Sequence, residues 1–110
     1  MNIAVKKESN ALVVTVSGRM DAVTAPEFEK SISGFIAQGE KVFVINLSGL
    51  EYISSAGLRS ILACAKRLKE LAGKLIFSGL QGHVKEVFAI SGFHGIFKIC
   101  DSDAEGLRAI

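Results

Sequence analysis

A change of hydrophobic period, repeated along the chain, constrains this sequence more than any other feature. Short runs rich in β-branched and aromatic residues alternate with longer segments whose apolar residues recur every three or four positions. At the start, Ile3 and Val5 alternate with Ala4 and Lys6, as in a half-buried strand. A polar turn, Glu8-Ser9-Asn10, separates them from Leu12–Val16, so the two strands read as an antiparallel hairpin that Gly18 ends. Thr24 and Glu27 have the spacing of a capping box, and Pro26 sits in the first turn, where its missing N–H costs little. Phe28, Ile32, Phe35 and Ile36 then share one helical face, which closes near Gly39.

The alternation continues. Lys41–Leu47, with Val42, Phe43, Val44 and Ile45, suits a central strand buried on both faces, and Ser48–Glu51 reads as a loop. From Leu58 the period is helical: Leu58, Ile61, Leu62, Ala65, Leu68 and Leu71 form the apolar stripe, with Arg59, Ser60, Lys66, Arg67 and Glu70 largely elsewhere, up to Gly73. Lys74–Ser78 is a buried strand and Gly79–Gly82 a loop. Val84, Val87 and Phe88 mark a short helix ending at Gly92, and Ile96–Ile99 a last strand. Ser102 and Glu105 open a terminal helix with a second capping box. The order ββαβαβαβα predicts an α/β fold: a mixed, mostly parallel sheet of about five strands with about four α-helices packed on it. One domain spanning residues 1–110 is expected.

Composition removes several function classes. A chain of 110 residues supports one hydrophobic core, and 49% hydrophobic against 22% charged residues gives it enough apolar surface to offset its ordering entropy. The longest apolar run, Ile61–Ala65, is far short of the roughly 20 residues that span a bilayer. No basic start with an apolar core resembles a secretory signal, so a cytoplasmic protein without membrane insertion is expected. The net charge of +2 is scattered, with no basic stripe interleaved with aromatics, and nucleic acid is not an expected partner. Cys64 and Cys100 fall in neither a disulfide framework nor a metal-ligand spacing and read as small packing residues; no metal or cofactor is expected. His83 and His94 lie near glycines in loop-like sequence, with no nucleophile or orienting group beside them. No nucleophile elbow, phosphate loop or dinucleotide fingerprint occurs. The chain therefore reads as a binding protein with no catalytic residue.

One stretch carries chemistry: Ile45-Asn46-Leu47-Ser48-Gly49-Leu50-Glu51-Tyr52-Ile53-Ser54-Ser55-Ala56-Gly57-Leu58-Arg59. It places two consecutive hydroxyls at the start of a helix. One reading makes Ser54 or Ser55 simply the N-cap, worth about 1 kcal/mol. The other lets one serine cap while its neighbour stays available for phosphorylation. Free N–H groups and the helix dipole favour a phosphate there, and Arg59 adds a cation one turn on.

These residues resemble the STAS family, the bacterial anti-sigma factor antagonists, over essentially the whole chain. Gly18-Arg19-Met20-Asp21 is similar to that family's Gly-x-Leu/Ile-Asp. Asn46-Leu47-Ser48-Gly49-Leu50 with Ser55-Ala56-Gly57-Leu58 resembles its signature Asp-Leu-Ser…Asp-Ser-Ser/Ala/Thr-Gly-Leu. Val87-Phe88-Ala89-Ile90-Ser91-Gly92-Phe93 and Ile96-Phe97-Lys98-Ile99 are similar to its final helix and strand. The resemblance implies the STAS fold and a non-enzymatic switch. Ser55 takes the position phosphorylated by a GHKL-type anti-sigma factor kinase, and a PP2C-type phosphatase resets it. The unmodified antagonist binds the kinase and releases a sigma factor. By the same resemblance Asp21, Thr24, Ser54, Ser55, Ala56, Gly57 and Arg59 lie at the partner contact, on a monomer or weak dimer. STAS domains also serve as subunits of larger assemblies, such as lipid-transport ATPases and signalling scaffolds. The chain departs from the pattern with Ser54 where the family has Asp, Arg59 where a small residue is usual, and Asn46 for Asp.

Overall fold

The computed structural model describes residues 1–110. Its element order is β1 (Asn2–Glu8), β2 (Ala11–Met20), α1 (Ala25–Ala37), β3 (Val42–Ile53), α2 (Ser55–Glu70), β4 (Lys74–Ser78), α3 (Gly82–Ile90), a 3₁₀ turn (Phe93–Gly95), β5 (Lys98–Cys100) and α4 (Asp103–Arg108). The five strands form one sheet in the order β1-β2-β3-β4-β5, antiparallel between β1 and β2 and parallel beyond. Because successive parallel strands always step in the same direction, right-handed crossovers place α1, α2 and α3 on one face. The main core accordingly joins Phe28 and Ile32 of α1, Ile61 and Leu68 of α2, and Phe88 of α3 to Val14, Phe43, Ile45 and Phe77 of the sheet.

The next residue along each strand points the other way. Val13, Val44, Ile76 and Cys100 form a smaller cluster on the opposite face, where Leu107 of α4 packs. Gly106 brings α4 close, since a Cβ there would lie 3.1 Å from Val44 Cγ1. The first turn of α4 is tied down by polar bonds: Asn46 and Ser78 are register partners on β3 and β4. Asn46 Nδ2 donates to both carboxylate oxygens of Asp103 at 3.0 Å, and Ser78 Oγ donates to Asp103 Oδ1 at 2.6 Å. Asn46 Oδ1 meanwhile accepts from the Ser48 backbone N–H and hydroxyl. Asn46→Asp is therefore expected to set two carboxylates against each other and cost about 1–3 kcal/mol at neutral pH. Part of the loss should return as the pH falls and one carboxyl is protonated, which paired urea titrations at pH 7 and pH 4.5 would measure.

Several boundaries differ from the sequence reading, each for a long-range reason. Gly18 does not end β2: with φ +95 it lets the strand run on to Met20 through two register shifts, which a side chain would strain. The loop expected over Ser48–Glu51 is instead strand, because that end of β2 pairs with it: Ser17 with Gly49, Gly18 with Leu50, Arg19 with Tyr52 and Met20 with Ile53. On α2 the buried stripe is rotated. Ser60 and Cys64 are buried while Leu62 and Leu71 are exposed, since α2 packs against α1 as well as the sheet. Val5 is exposed on the edge strand β1, and Lys6 and Lys7 charge the same edge. The last strand begins at Lys98, with Ile96 exposed before it. His83 lies in the first turn of α3 and His94 in the 3₁₀ turn, not in loops. At the terminal helix, Ser102 Oγ accepts from the Glu105 N–H at 3.2 Å, the cap half of the expected box, while Glu105 Oε2 accepts from the N–H of Asp101, one residue before the cap.

Candidate functional site

Parallel strands and the helices that follow them put the starts of α1, α2 and α3 at one end of the molecule. Asp21 and Thr24 precede α1, Ser54 and Ser55 open α2, and His83 lies in the first turn of α3. The Ser54 N–H donates to the Met20 carbonyl at 2.9 Å, which pins the start of α2 to the end of β2.

Ser54 has extended backbone, and its Oγ accepts from the Gly57 N–H at 3.3 Å. It is the N-cap. Ser55 is the first helical residue, exposed, and its hydroxyl takes no part in that cap. The first turn of α2 holds no acidic residue, so the free N–H groups of the helix start face no side-chain carboxylate of their own turn. Ala56 is half-buried and Arg59 exposed one turn along. Gly57 is buried: a Cβ there would lie 2.7 Å from Ile53 Cγ1 and 3.1 Å from both Met20 Cγ and the Met20 carbonyl oxygen. Only glycine lets the helix sit this close to the ends of β2 and β3. Ser54→Ala is expected to cost about 0.5–2 kcal/mol in a denaturant titration while leaving Ser55 free to react.

The capping box expected from Thr24 and Glu27 is not formed. The Thr24 hydroxyl donates to the Arg19 carbonyl at 2.8 Å and accepts from the Asp21 N–H at 2.9 Å, so it turns the chain and makes no cap bond to α1. Asp21 does the corresponding work upstream, its Oδ1 accepting from the N–H groups of Val23 and Thr24 at 3.0 and 3.1 Å. Those two backbone bonds, with a smaller contribution from Arg19, hold the Asp21 carboxyl below the usual carboxylate range. The turn is thus supported above the ordinary Asp pKa and loosens as acid protonates Asp21.

The structure therefore brings Asp21, Thr24, Ser54, Ser55, Ala56 and Gly57 onto one end of the fold, with Arg59 at its margin. Three further residues there were not expected at this site. The Arg19 guanidinium carbon lies 4.2 Å from the centre of the Tyr52 ring, and the His83 ring stacks on Tyr52 at 5.2 Å with 3° between planes. The pairing of Arg19 with Tyr52 follows from the extended β2–β3 register, which the supposed loop had hidden.

None of the three grooves on the molecule is lined by Ser54, Ser55, Ala56 or Gly57. The largest groove, about 500 Å³, lies at the other end of α2, lined by Leu68, Lys69, Gly73, Ile96 and Phe97. No three His, Cys, Asp or Glu side chains gather to hold a metal ion. Cys64 is buried on α2, and burial pushes its thiol up to about 12, away from nucleophilic use. No helix is long and apolar enough to cross a membrane.

Comparison with known proteins agrees with this fold. The family model of the STAS domain matches residues 2–106. The chain is 37% identical over 102 residues to BtrV of Bordetella bronchiseptica, a protein named as a candidate anti-sigma factor antagonist, covering 93% of this chain and 88% of that one. It superposes on the crystal structure of an anti-sigma factor antagonist from Mycobacterium paratuberculosis with a TM-score of 0.89 and 27% identity, covering 99% and 92% of the two chains. It also shares its fold with the phosphorylated form of the Bacillus cell fate determinant SpoIIAA, at a TM-score of 0.76 and 21% identity over 98% of each chain.

Proposed function

Because the chain belongs to the STAS domain family, we propose that it is an anti-sigma factor antagonist whose docking face is switched off by phosphorylation of Ser55. One observation carries this reading: Ser54 caps α2, which leaves the adjacent Ser55 hydroxyl exposed at the start of the helix. A phosphate added there brings roughly −1.5 to −2 charges. The helix start tolerates them, since its N–H groups and dipole favour an anion. The fold is kept and only the surface changes, which is what a reversible switch requires.

The partner is an anti-sigma factor kinase of the GHKL type, seated over Ser55, Ala56, Asp21 and Thr24, with a PP2C-type phosphatase reversing the modification. Support comes from the antagonist names of the relatives and from the fold shared with a phosphorylated structure. A face with no groove at Ser55 itself suits a protein partner better than a small molecule. Asp21 has a positioning role. Its carboxylate holds the turn before α1 by two backbone bonds, and so fixes Thr24 at the start of that helix.

Calorimetric titration of the purified chain into the anti-sigma factor of its own genome tests the reading. Binding that survives Ser55→Ala and is lost on kinase treatment of the wild type supports it. A wild-type chain that binds no anti-sigma factor overturns it, and co-purification with a transport ATPase instead would place the chain in a larger assembly.

A further inference from the structure

Arg19, Tyr52 and His83 come from β2, β3 and α3, and they meet across the same end of the sheet as Ser55. β2 flanks β3 on one side and β4, which leads into α3, on the other, so the stack runs in a row with Tyr52 in the middle. Arg19 and His83 are exposed, and Tyr52 is half-buried between them. The row makes no contribution to the main core, yet its geometry is fixed. An arginine held over an aromatic ring has already lost much of the side-chain freedom that binding would otherwise remove.

Arg19 forms no ion pair within the chain, and Asp21 acts on it only through space. The ion pairs present are Lys6–Glu8 and Lys7–Glu40, both on the far edge beside β1. Asp21, the nearest acid in sequence, spends its carboxylate on the backbone of Val23 and Thr24. Glu51 lines the shallow cleft beside His83 without forming an ion pair with it. A stacked, solvent-facing guanidinium that no carboxylate of the chain contacts is matched by a carboxylate on the partner.

We propose that the Arg19–Tyr52–His83 row is a specificity element that extends the docking face and takes an acidic side chain of the anti-sigma factor. It rests on the functional reading above. It adds to that reading which partners the face accepts: those presenting Asp or Glu opposite Arg19, and not those presenting Lys or Arg there.

Calorimetry with the anti-sigma factor of the same genome separates the two ideas. Arg19→Ala and Tyr52→Ala are expected to weaken binding about thirtyfold, the loss typical of a central arginine or tyrosine anchor. Tyr52→Phe keeps the ring and recovers affinity to within about twofold of wild type. Arg19→Lys keeps the charge without the planar stack and falls between. The association rate of Arg19→Ala should also depend less steeply on salt. Arg19→Glu abolishes binding, and reversing the charge of one acidic residue on the partner restores it. Thermal melts of the free variants check that the fold is intact, and binding is compared only among variants that melt within a few degrees of wild type; Arg19→Lys and Tyr52→Phe keep the test open if the alanine variants unfold. If wild type and Ser55→Asp behave as the switch requires but Arg19→Ala binds like wild type, the row has no part in docking and this inference fails alone. If wild type itself does not bind, both readings fail.

Discussion

Ser55→Asp is expected to raise the dissociation constant for the anti-sigma factor at least about a hundredfold while the protein stays at least as stable as wild type. The added charge acts differently on the fold and on the interface. At the first position of α2, a carboxylate meets free N–H groups and the positive end of the helix dipole, which favours the folded state by about 0.3–1 kcal/mol. At the interface the same charge must be desolvated against a surface shaped for an uncharged hydroxyl. Such a mismatch costs several kcal/mol, and about 2.7 kcal/mol already corresponds to a hundredfold. Ser55→Ala removes only a hydroxyl that takes no part in the Ser54 cap, so it should bind like wild type. Calorimetry on the pair, with a denaturant titration of each free protein, checks both halves. A Ser55→Asp variant that binds normally, or one that has unfolded, would show that the helix start is not acting as a switch.

The second large effect is expected from Gly57→Val. A Cβ at Gly57 falls 2.7 Å from Ile53 Cγ1, and 3.1 Å from a Met20 carbonyl that already accepts the Ser54 N–H. Ile53 and Met20 are buried and have little room to give. Valine adds two methyl groups to that clash, so a loss of about 3 kcal/mol is expected, near the upper end for overpacking. For a domain of this size that lowers the melting temperature by roughly 10–20 °C. The sign is informative, because replacing glycine inside a helix by valine would otherwise gain about 0.3 kcal/mol. Relief of the clash pushes α2 away from β2 and β3, so the protein that remains folded should also bind its partner more weakly. Equal stability for Gly57→Val and wild type would mean that the close approach is not needed.

The element order was legible in the sequence because each helix carries its own period and each buried strand its own apolar run. Phe28, Ile32 and Ile36 announce α1, and Val42–Ile45 the middle of the sheet. The two hydroxyls at Ser54-Ser55 likewise showed that one could cap and one stay free. What escaped was set by distant partners. Ser48-Gly49-Leu50-Glu51 has loop composition, and it becomes strand only because β2 continues past Gly18 through two bulges to pair with it. Ser60 and Cys64 point inward instead of Leu62 and Leu71 because the position of α1 selects the buried face of α2. Thr24 has the local spacing of a cap, but Arg19 and Asp21 claim its hydroxyl first. The Arg19–Tyr52–His83 row has no sequence signal at all, since no local pattern joins three such separated residues.

The central claim is that one hydroxyl, Ser55, carries the switch. Incubating the wild-type chain and Ser55→Ala with the cognate kinase and ATP, followed by intact-mass measurement and fragment mapping, tests it most directly. One phosphate on wild type, located at Ser55, and none on Ser55→Ala is the result expected. An unmodified wild type, or a phosphate found on Ser54, Ser48 or any other residue, would contradict it.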